Sequence, residues 1–252
     1  MKLKDSWLKA IPGRTSRRTY QGGPLPKSDK NIILTQIKEI NEAGSVKFIL
    51  LEDAGEFFNG LKKSYGMFKN VHSAVVLAGK KADPSIKTWV GYYGEFLVLE
   101  AAASNIGTCW IGGTYDRNRL FERIGLAPDE ELFLVLSIGK THEEKTLKEK
   151  LLSQLGKNKP QWQELLTSPL PVASWIEAGL EAARYAPSAV NKKPARYEVT
   201  PKGVRAYPIT KKYGFEETDL GISMAHFQLG AQSMGITGSW EPDTDGFLFR
   251  TL

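Results

Sequence analysis

A basic segment near the start of the chain carries side chains suited to binding an anion. Arg14-Thr-Ser-Arg-Arg18 places two guanidinium groups four residues apart, with the hydroxyl of Ser16 between them. We expect one helical turn to point all three side chains toward one ligand. A planar guanidinium donates two parallel hydrogen bonds to a phosphate, so Arg14 and Arg18 are candidate phosphate ligands. The alternative interpretation is a solvated basic arm.

A second polar segment lies far along the chain, at Ala186-Pro-Ser-Ala-Val-Asn191. The hydroxyl of Ser188, the amide of Asn191 and nearby backbone groups offer donors and acceptors for the polar edge of a ring. Pro187 fixes one backbone angle and Pro194 stops the chain from continuing as a helix. The segment is therefore predicted to form a rigid shelf for a flat ligand. The alternative is an ordinary connection between a helix and a strand.

Composition narrows the class of protein. Cys109 is the only cysteine among 252 residues, so the chain has neither an internal disulfide nor the thiolates for a cysteine-rich metal centre or an iron–sulfur cluster. We expect Cys109 itself to pack in the core, and the three scattered histidines predict no metal site. The net charge of +6 suits an anionic ligand, and equally nucleic acid or anionic lipid. No apolar stretch approaches the roughly 20 residues of a membrane span, which favours a cytoplasmic protein.

Apolar runs and amphipathic segments alternate along the chain and predict a mixed α/β, or α+β, fold. The candidate strands are Lys47–Leu51, Ser73–Gly79, Thr108–Ile111, Leu132–Ile138 and Arg196–Thr200. The candidate helices are Ser28–Glu42, Trp89–Asn105, Arg117–Ile124, Val172–Tyr185 and Leu220–Met234. Between the two sets lies a Lys-rich interval, Lys140–Lys159, interpreted as a helical linker with a solvated charged face or, alternatively, as a source of phosphate ligands.

Two parts of the chain resemble each other in pattern. Ala103–Trp110 aligns with Ser233–Trp240, each after an Ala-rich helix and each ending in tryptophan. Upstream, the predicted helix and strand of Asn31–Glu52 match those of Trp175–Pro201. This pattern predicts two diverged copies of one helix-strand-helix-strand unit, with chance similarity as the alternative.

The two copies are unequal at the positions that matter for binding. Ala186–Asn191 follows the helix of the second copy, whereas the shorter Asn41–Gly44 follows the equivalent helix of the first. The basic segment Arg14–Arg18 precedes the first copy alone. This asymmetry predicts one composite site per chain instead of two equivalent sites.

The two segments together resemble the FMN-binding signatures of the nitroreductase family. These signatures are Arg-x-Ser-x-Arg-x-Tyr, here Arg14–Tyr20, and Ala-Pro-Ser-Ala-x-Asn-x-x-Pro, here Ala186–Pro194. A third match, Gly94–Gly113, is similar to the family's central helix and the Gly-x-x-Trp strand that runs beside the flavin. In typical members the second signature follows soon after the first, and a homodimer builds each FMN site from both subunits. The wide separation here resembles an internally duplicated subgroup, in which one chain forms a pseudo-dimer.

The resemblance implies a fold and a division of the chain. The expected fold is nitroreductase-like, with three layers, a central, mainly antiparallel sheet flanked by helices, and two fused half-repeats. The expected parts are a first repeat at 1–145, a linker at 146–168 and a second, shorter repeat at 169–252. Because one chain would contain both halves, a monomeric pseudo-dimer is expected, and association through the remaining surface stays open.

The resemblance also assigns roles to individual residues. Arg14 and Lys140 would hold the FMN phosphate, with Lys145 as a comparable candidate. Ser16 and Arg18 would meet the ribityl chain or the pyrimidine edge, where a guanidinium favours the reduced ring. The remaining flavin contacts would come from Trp110, Ile111, Gly112 and Gly113 along one ring face or N5, and from Pro187, Ser188, Ala189 and Asn191 at the polar rim.

The implied activity is a ping-pong oxidoreduction. NADH or NADPH would reduce FMN at N5, and a small-molecule acceptor such as a nitroaromatic or a quinone would reoxidise it. Because the cofactor carries this chemistry, no side chain is assigned a catalytic role. Two other classes stay open at this point: a flavin-binding protein for sensing or storage with little turnover, and a nucleic-acid-binding protein suggested by the positive charge. We expect neither a nucleic-acid nor a membrane partner.

Overall fold

Two units make up the part of the chain described by the computed structural model, which comprises residues 1–58, 67–147, 149–151, 159–209 and 213–252. The first unit contains Met1, Gly13–Ile86 and Leu97–Leu155. The second contains Lys2–Pro12, Lys87–Phe96 and Gly156–Leu252. The N-terminal segment and half of one long helix therefore group with residues that come much later in the sequence.

Helices and strands alternate, as the sequence predicts. The helices are α1 (Asp5–Ala10), α2 (Lys27–Ala43), α3 (Gly55–Phe58), α4 (Ile86–Ala103), α5 (Arg117–Ile124), α6 (Ser174–Ala183) and α7 (Glu216–Ser233). The strands are β1 (Val46–Leu51), β2 (Ser73–Lys80), β3 (Gly107–Ile111), β4 (Glu130–Gly139), β5 (Ala195–Thr200), β6 (Gly203–Pro208), β7 (Gly238–Asp243) and β8 (Gly246–Thr251). Short 3-10 turns lie at Trp162–Leu165 and Ala189–Asn191.

The first unit contains a four-stranded antiparallel sheet in the order β1-β2-β4-β3. β2 is buried along its whole length except at Lys80, because its residues are apolar or small on both faces. Cys109, on β3, is 3% exposed and belongs to a core that includes Phe58, Val76 and Val135. The sequence-based expectation that Cys109 packs in the core is confirmed.

The second unit contains a second four-stranded antiparallel sheet, in the order β5-β6-β8-β7. Its core is aromatic, with the rings of Tyr197 and Phe227 stacked at 5.0 Å and Trp240 and Phe249 packed beside them. β6, β7 and β8 were not predicted from the sequence. They form two hairpins whose two-residue loops, Pro201-Lys202 and Thr244-Asp245, lack the Asn-Gly or Asp-Gly signal of the favoured hairpin turns.

The two sheets have the same topology. Replacing each strand number of the first sheet by the number four higher gives the order of the second. α4 ends at Ala103 and α7 ends at Ser233, the two residues that the sequence comparison pairs. The mixed fold with antiparallel sheets and two half-repeats is therefore confirmed, and each repeat carries one sheet.

The same C-terminal cap closes both helices. Asn105 after α4 and Gly235 after α7 have left-handed backbones, with φ of 55° and 78°. Ile106 N then donates to Ala101 O at 2.8 Å, and Ile236 N to the equivalent carbonyl of α7 at 3.2 Å. This arrangement is the Schellman motif, with an apolar residue directly after the left-handed position. Equal capping at aligned positions favours common descent over chance similarity.

A reciprocal backbone contact joins the first half of α4 to α7 within the second unit. A Cβ at Gly91 would overlap the carbonyl oxygen of Thr218, and a Cβ at Gly221 would overlap the carbonyl oxygen of Thr88. Gly91 pairs with Gly221, and Thr88 with Thr218, in the sequence comparison. Such an exchange is the hallmark of an isologous interface, here between two copies of one unit within a single chain.

Most element ends differ slightly from those predicted. α7 begins at Glu216 instead of Leu220, because the acidic residues before Leu220 form its first turn. In the Lys-rich interval, residues 149–151 are helical, whereas residues 148 and 152–158 lie outside the described part. The repeat boundaries 1–145, 146–168 and 169–252 stay a prediction. Among the described helices, none has the length and apolar character that crossing a bilayer requires.

Candidate functional site

The basic segment lies in extended conformation beside β3. Ser16 forms a parallel bridge with Thr108, and Arg17 N donates to Thr108 O at 2.8 Å. The predicted helical turn at Arg14–Arg18 is therefore wrong, because backbone pairing with β3 holds the segment extended. Side chains two residues apart share a face in an extended chain, so Arg14, Ser16 and Arg18 still lie on one side.

Arg17 faces the opposite way and is held by a buried carboxylate. Its Nε lies 3.4 Å from Glu149 Oε1, and its Nη2 donates to His142 O at 2.8 Å. The same Oε1 accepts from Arg18 N at 2.8 Å and from Thr19 N at 3.1 Å. Glu149, which is 3% exposed, thus fixes both the backbone and one side chain of the basic segment. Sequence analysis did not find this role, since Glu149 lies within a Lys-rich run far from Arg17.

Hydrogen bonding keeps the Glu149 carboxylate ionised. Burial by itself raises its pKa, but hydrogen bonds from the backbone of Arg18, Thr146 and Thr19, together with the charge of Arg17, outweigh that effect, and the pKa lies below the ordinary value. The ionised form is therefore the one the folded chain favours.

Replacing Glu149 with glutamine is expected to destabilise the chain by about 2–3 kcal/mol at pH 7, because bonds to a charged acceptor become bonds to a neutral one. A carboxyl with a lowered pKa contributes stability above its unfolded pKa of about 4.3, and that stability is lost as the pH falls through the folded value. The difference between wild type and the variant should therefore shrink below pH 4. Urea unfolding at pH 7 and at pH 3.5 measures it.

Glu144→Gln is the matched control for this change. The Glu144 side chain is 90% exposed and pairs with Lys150 at 3.6 Å, so its loss is expected to have little effect. Equal destabilisation by both substitutions would contradict the assigned role of Glu149.

Tyr20 anchors the far end of the segment. Its hydroxyl donates to Arg17 O at 2.8 Å and lies 2.7 Å from Ser137 Oγ on β4. Burial raises the pKa of Tyr20 well above its usual range, so the phenol stays a proton donor. The tyrosine of the family signature is therefore a structural residue in this chain.

The outward side of the segment is electropositive. The described part of the chain offers the half-buried Arg18 guanidinium no carboxylate and no hydrogen-bond acceptor. Burial raises the pKa of the Cys109 thiol, and Arg18, Ser16 and Arg14 lower it by less. These interactions place all three side chains near the start of β3. Cys109 stays a neutral thiol, which suits packing and not nucleophilic chemistry.

Lys140 lies next to this segment, and its charge is already compensated. Lys140 O accepts from Gln21 N at 2.9 Å, while its Nζ lies 3.0 Å from Asp29 Oδ2 and 3.2 Å from Asn105 O. The Asp29 pair must open or rearrange if Lys140 is to hold a phosphate. The assignment of Lys140 stays a prediction, as does that of the half-buried Lys145.

β3 ends at the other residues assigned to the flavin face. Trp110 is half-buried, Ile111 is 2% exposed, and Gly112 and Gly113 lie exposed just beyond the strand. The side chain of Ile111 packs in the core, so only its backbone is available to a ligand. Trp110 and the two glycines stay candidate contacts.

The second polar segment has an unusual backbone. Val190, Asn191 and Lys193 all have left-handed φ values, of 45°, 57° and 50°. A β-branched residue in this conformation is a steric outlier, and Val190 is also 82% exposed. Strained backbones of this kind persist only where surrounding contacts hold them, and they cluster at binding sites.

A buried carboxylate supports this turn. Both oxygens of Asp219 accept from Ala189 N, at 3.1 and 3.0 Å, and Oδ2 accepts from Tyr213 Oη at 2.7 Å. Asp219 is 4% exposed, and burial raises its pKa to about 7. The sequence places it in an acidic first helical turn, which indicates a helix start and gives no sign of the contact with Ala189.

Side-chain bonds close the same turn. Ser188 Oγ accepts from Lys193 N at 2.9 Å, and the Lys193 ammonium donates to Ala186 O. Pro194 is buried at the start of the following strand. Ser188 keeps its own hydroxyl hydrogen for a ligand, whereas Pro187 and Ala189 contribute mainly shape.

The first copy's turn has a structural role. Asn41 donates to Phe48 O at 3.0 Å and accepts from Phe48 N at 2.8 Å, which ties α2 to β1. Its amide is fully used, unlike a ligand-binding amide. The predicted inequality of the two copies at this position is consistent with these contacts.

The structure thus groups the assigned residues in two sets. The first unit brings together Arg14, Ser16, Arg18, Lys140 and the Trp110–Gly113 strand end. The second unit holds Pro187, Ser188, Ala189 and Asn191 on one turn. One site built from both sets stays a proposal. Within the described ranges, no three His, Cys, Asp or Glu residues form a group that could hold a metal ion.

Comparison with solved structures supports the fold. A protein of Thermotoga maritima described as a putative nitroreductase matches with a TM-score of 0.64 and 16% identity, covering 97% of this chain and 93% of that one. An FMN-dependent nitroreductase of Clostridium difficile matches with a TM-score of 0.45 and 21% identity, over 54% of this chain and 88% of that one. A nitroreductase family protein of the same species matches with a TM-score of 0.47 and 15% identity, over 68% and 100%.

Comparison of the sequence identifies the family. No curated protein sequence matches the chain. A family profile described as "Putative TM nitroreductase" matches residues 6–231. That range includes the basic segment, both central helices and the strained turn. This protein belongs to the Putative TM nitroreductase family.

Proposed function

We propose that this chain is an FMN-dependent oxidoreductase that takes electrons from NADH or NADPH and reduces a small-molecule acceptor such as a nitroaromatic or a quinone. FMN, when bound, supplies the chemistry by accepting hydride at N5 and passing it on in a ping-pong cycle. The protein must then bind the cofactor, orient it and leave one face open.

The observation that carries this proposal is the contrast between Arg17 and Arg18. Arg17 is neutralised by Glu149, whereas the half-buried Arg18 has no acidic partner among the described residues. A half-buried guanidinium without a carboxylate is costly unless an anion joins it. A phosphate or the electron-rich edge of a flavin is such an anion, and it fits the side of the segment shared by Arg14, Ser16 and Arg18.

Each assigned residue has a task in this site. Arg14 holds the phosphate, with Lys140 assisting if it leaves Asp29, and Ser16 bonds the ribityl chain. Arg18 and Asn191 bind the polar ring edge, where the positive charge of Arg18 favours reduction.

The absorption spectrum of the purified protein tests this proposal, with FMN released by heat and quantified per chain. We expect FMN stoichiometric with the chain, and bleaching by NADH or NADPH that an added quinone or nitroaromatic reverses. Absence of flavin after reconstitution would overturn the proposal. Bound flavin that neither nucleotide bleaches would favour the sensing or storage role instead. The cytoplasmic location and the monomeric state stay predictions, and light scattering measures the latter.

A further inference from the structure

The Asp219 cluster joins one helix start to the strained turn of the second unit. Asp219 lies in the first turn of α7, and its two oxygens bridge to Ala189 N and to the hydroxyl of Tyr213. Ala189 immediately precedes the left-handed residues Val190 and Asn191. The carboxylate therefore holds the turn at its first residue.

The surroundings of Asp219 combine burial with few compensating charges. Of the charged and titratable groups that face it, Tyr213 donates a hydrogen bond, Lys193 contributes a favourable positive charge, and Glu216 contributes an unfavourable negative one. Glu216 is itself occupied, because its two oxygens accept from Tyr213 N at 2.6 Å and Gly214 N at 2.9 Å.

Two groups depend on the negative charge of Asp219. Ala189 N bonds both oxygens at once, and a neutral carboxyl accepts more weakly from N–H groups than a carboxylate does. Protonation also puts a hydrogen on one oxygen, which then competes with either Ala189 N or Tyr213 Oη. The turn loses support when Asp219 takes up a proton.

We propose that Asp219 is a positioning residue for the flavin, and that its ionisation state sets the affinity of the Ala186–Asn191 turn for FMN across neutral pH. This inference rests on the proposed function, since it assumes that the turn binds FMN. It assigns Asp219 no contact with the flavin. Flavin binding then selects the ionised form and releases a proton.

The sign of the pH effect follows from the raised pKa. Burial raises the pKa of Asp219 to about 7, so the ionised fraction, and with it the FMN affinity, falls as the pH drops from 8 to 6. The stability of the flavin-free protein responds in the opposite sense. A folded pKa above the unfolded value of about 3.9 gives a contribution present at low pH and lost as the pH rises through 7. A purely structural role for Asp219 gives only this second dependence.

Fluorescence titration of the flavin-free full-length chain with FMN, from pH 6 to pH 8.5, tests the proposal. The wild type should bind roughly tenfold more weakly at pH 6 than at pH 8, the change produced when about one pH unit separates the lower pH from the pKa. Asp219→Asn keeps an oxygen acceptor and removes the titration. We expect it to bind more weakly at pH 8 and to retain only the dependence due to the FMN phosphate, which titrates near pH 6, by analogy with other phosphate monoesters at about 6.

Two further variants keep the outcome decisive. Tyr213→Phe removes a donor that stabilises the carboxylate, so its affinity profile should shift to higher pH. Glu217→Gln, in the same helical turn, loses only an exposed pair with Lys87 at 3.3 Å and should match the wild type. If Asp219→Asn fails to fold, as circular dichroism would show, the Tyr213→Phe profile decides.

The outcomes separate this inference from the proposed function. FMN binding whose pH profile is the same in wild type and Asp219→Asn, or an unshifted profile in Tyr213→Phe, overturns the role of Asp219 and leaves the flavin site intact. Failure of the wild type to bind FMN at any pH overturns the proposed function itself.

Discussion

Replacing Arg18 with alanine is expected to weaken FMN binding by roughly 30-fold, equivalent to about 2 kcal/mol for a lost charge-assisted hydrogen bond. The structure gives this guanidinium no acidic partner in the described residues, so its removal leaves no buried carboxylate unpaired. Folding stability should therefore change little while affinity falls. FMN titration and thermal unfolding of the same preparation measure the two effects separately.

Matched variants sharpen this result. Arg18→Lys keeps the charge and loses the planar fork, so it should lie between wild type and alanine. Arg123→Ala removes an exposed arginine from the same unit and should leave FMN binding unchanged. A loss of affinity with Arg123→Ala as large as that with Arg18→Ala would point to general electrostatic attraction and contradict a specific contact.

The second half of the proposed site is tested in the same way. Asn191→Ala should also weaken FMN binding, whereas Glu42→Ala, in the equivalent turn of the first copy, should not. Asn41 is unsuited to this control, because both its amide bonds support Phe48. Equal losses of flavin from Asn191→Ala and Glu42→Ala would rule out a single asymmetric site.

Gly91→Ala and Gly221→Ala are each expected to destabilise the chain by about 2 kcal/mol or more. Alanine gains about 1 kcal/mol in helix propensity over glycine, but each added Cβ overlaps a backbone carbonyl that no rotamer change can move away. The helices must separate, and apolar contacts along α4 and α7 are lost. Thermal unfolding should show a melting temperature lower by roughly 4–8 °C.

Gly113→Ala is the control for these substitutions. A Cβ at Gly113 meets nothing within 4 Å, so unfolding of the flavin-free variant should match the wild type. The reciprocity of the contact predicts similar losses at Gly91 and Gly221. A large loss at one position alone would contradict an interface shared equally by the two copies.

The sequence by itself determined the alternation of helices and strands and the internal duplication. Periodicity placed β2, β4 and α5 within a few residues, since apolar patterning is a local property. The alignment ending at Trp110 and Trp240 holds because the two copies keep the same helix cap, a short motif that both sequences encode. The candidate flavin residues also came from local signatures, and their roles still await the binding experiments above.

Tertiary structure decided everything that depends on distant partners. The basic segment looks helical in isolation and is extended because β3 pairs with it. Glu149 and Asp219 carry no local signal, and they acquire their roles only when the fold brings them to the backbone of Arg18 and of Ala189. Burying a carboxylate requires donors from elsewhere in the chain, and a sequence pattern contains no information about which donors will arrive.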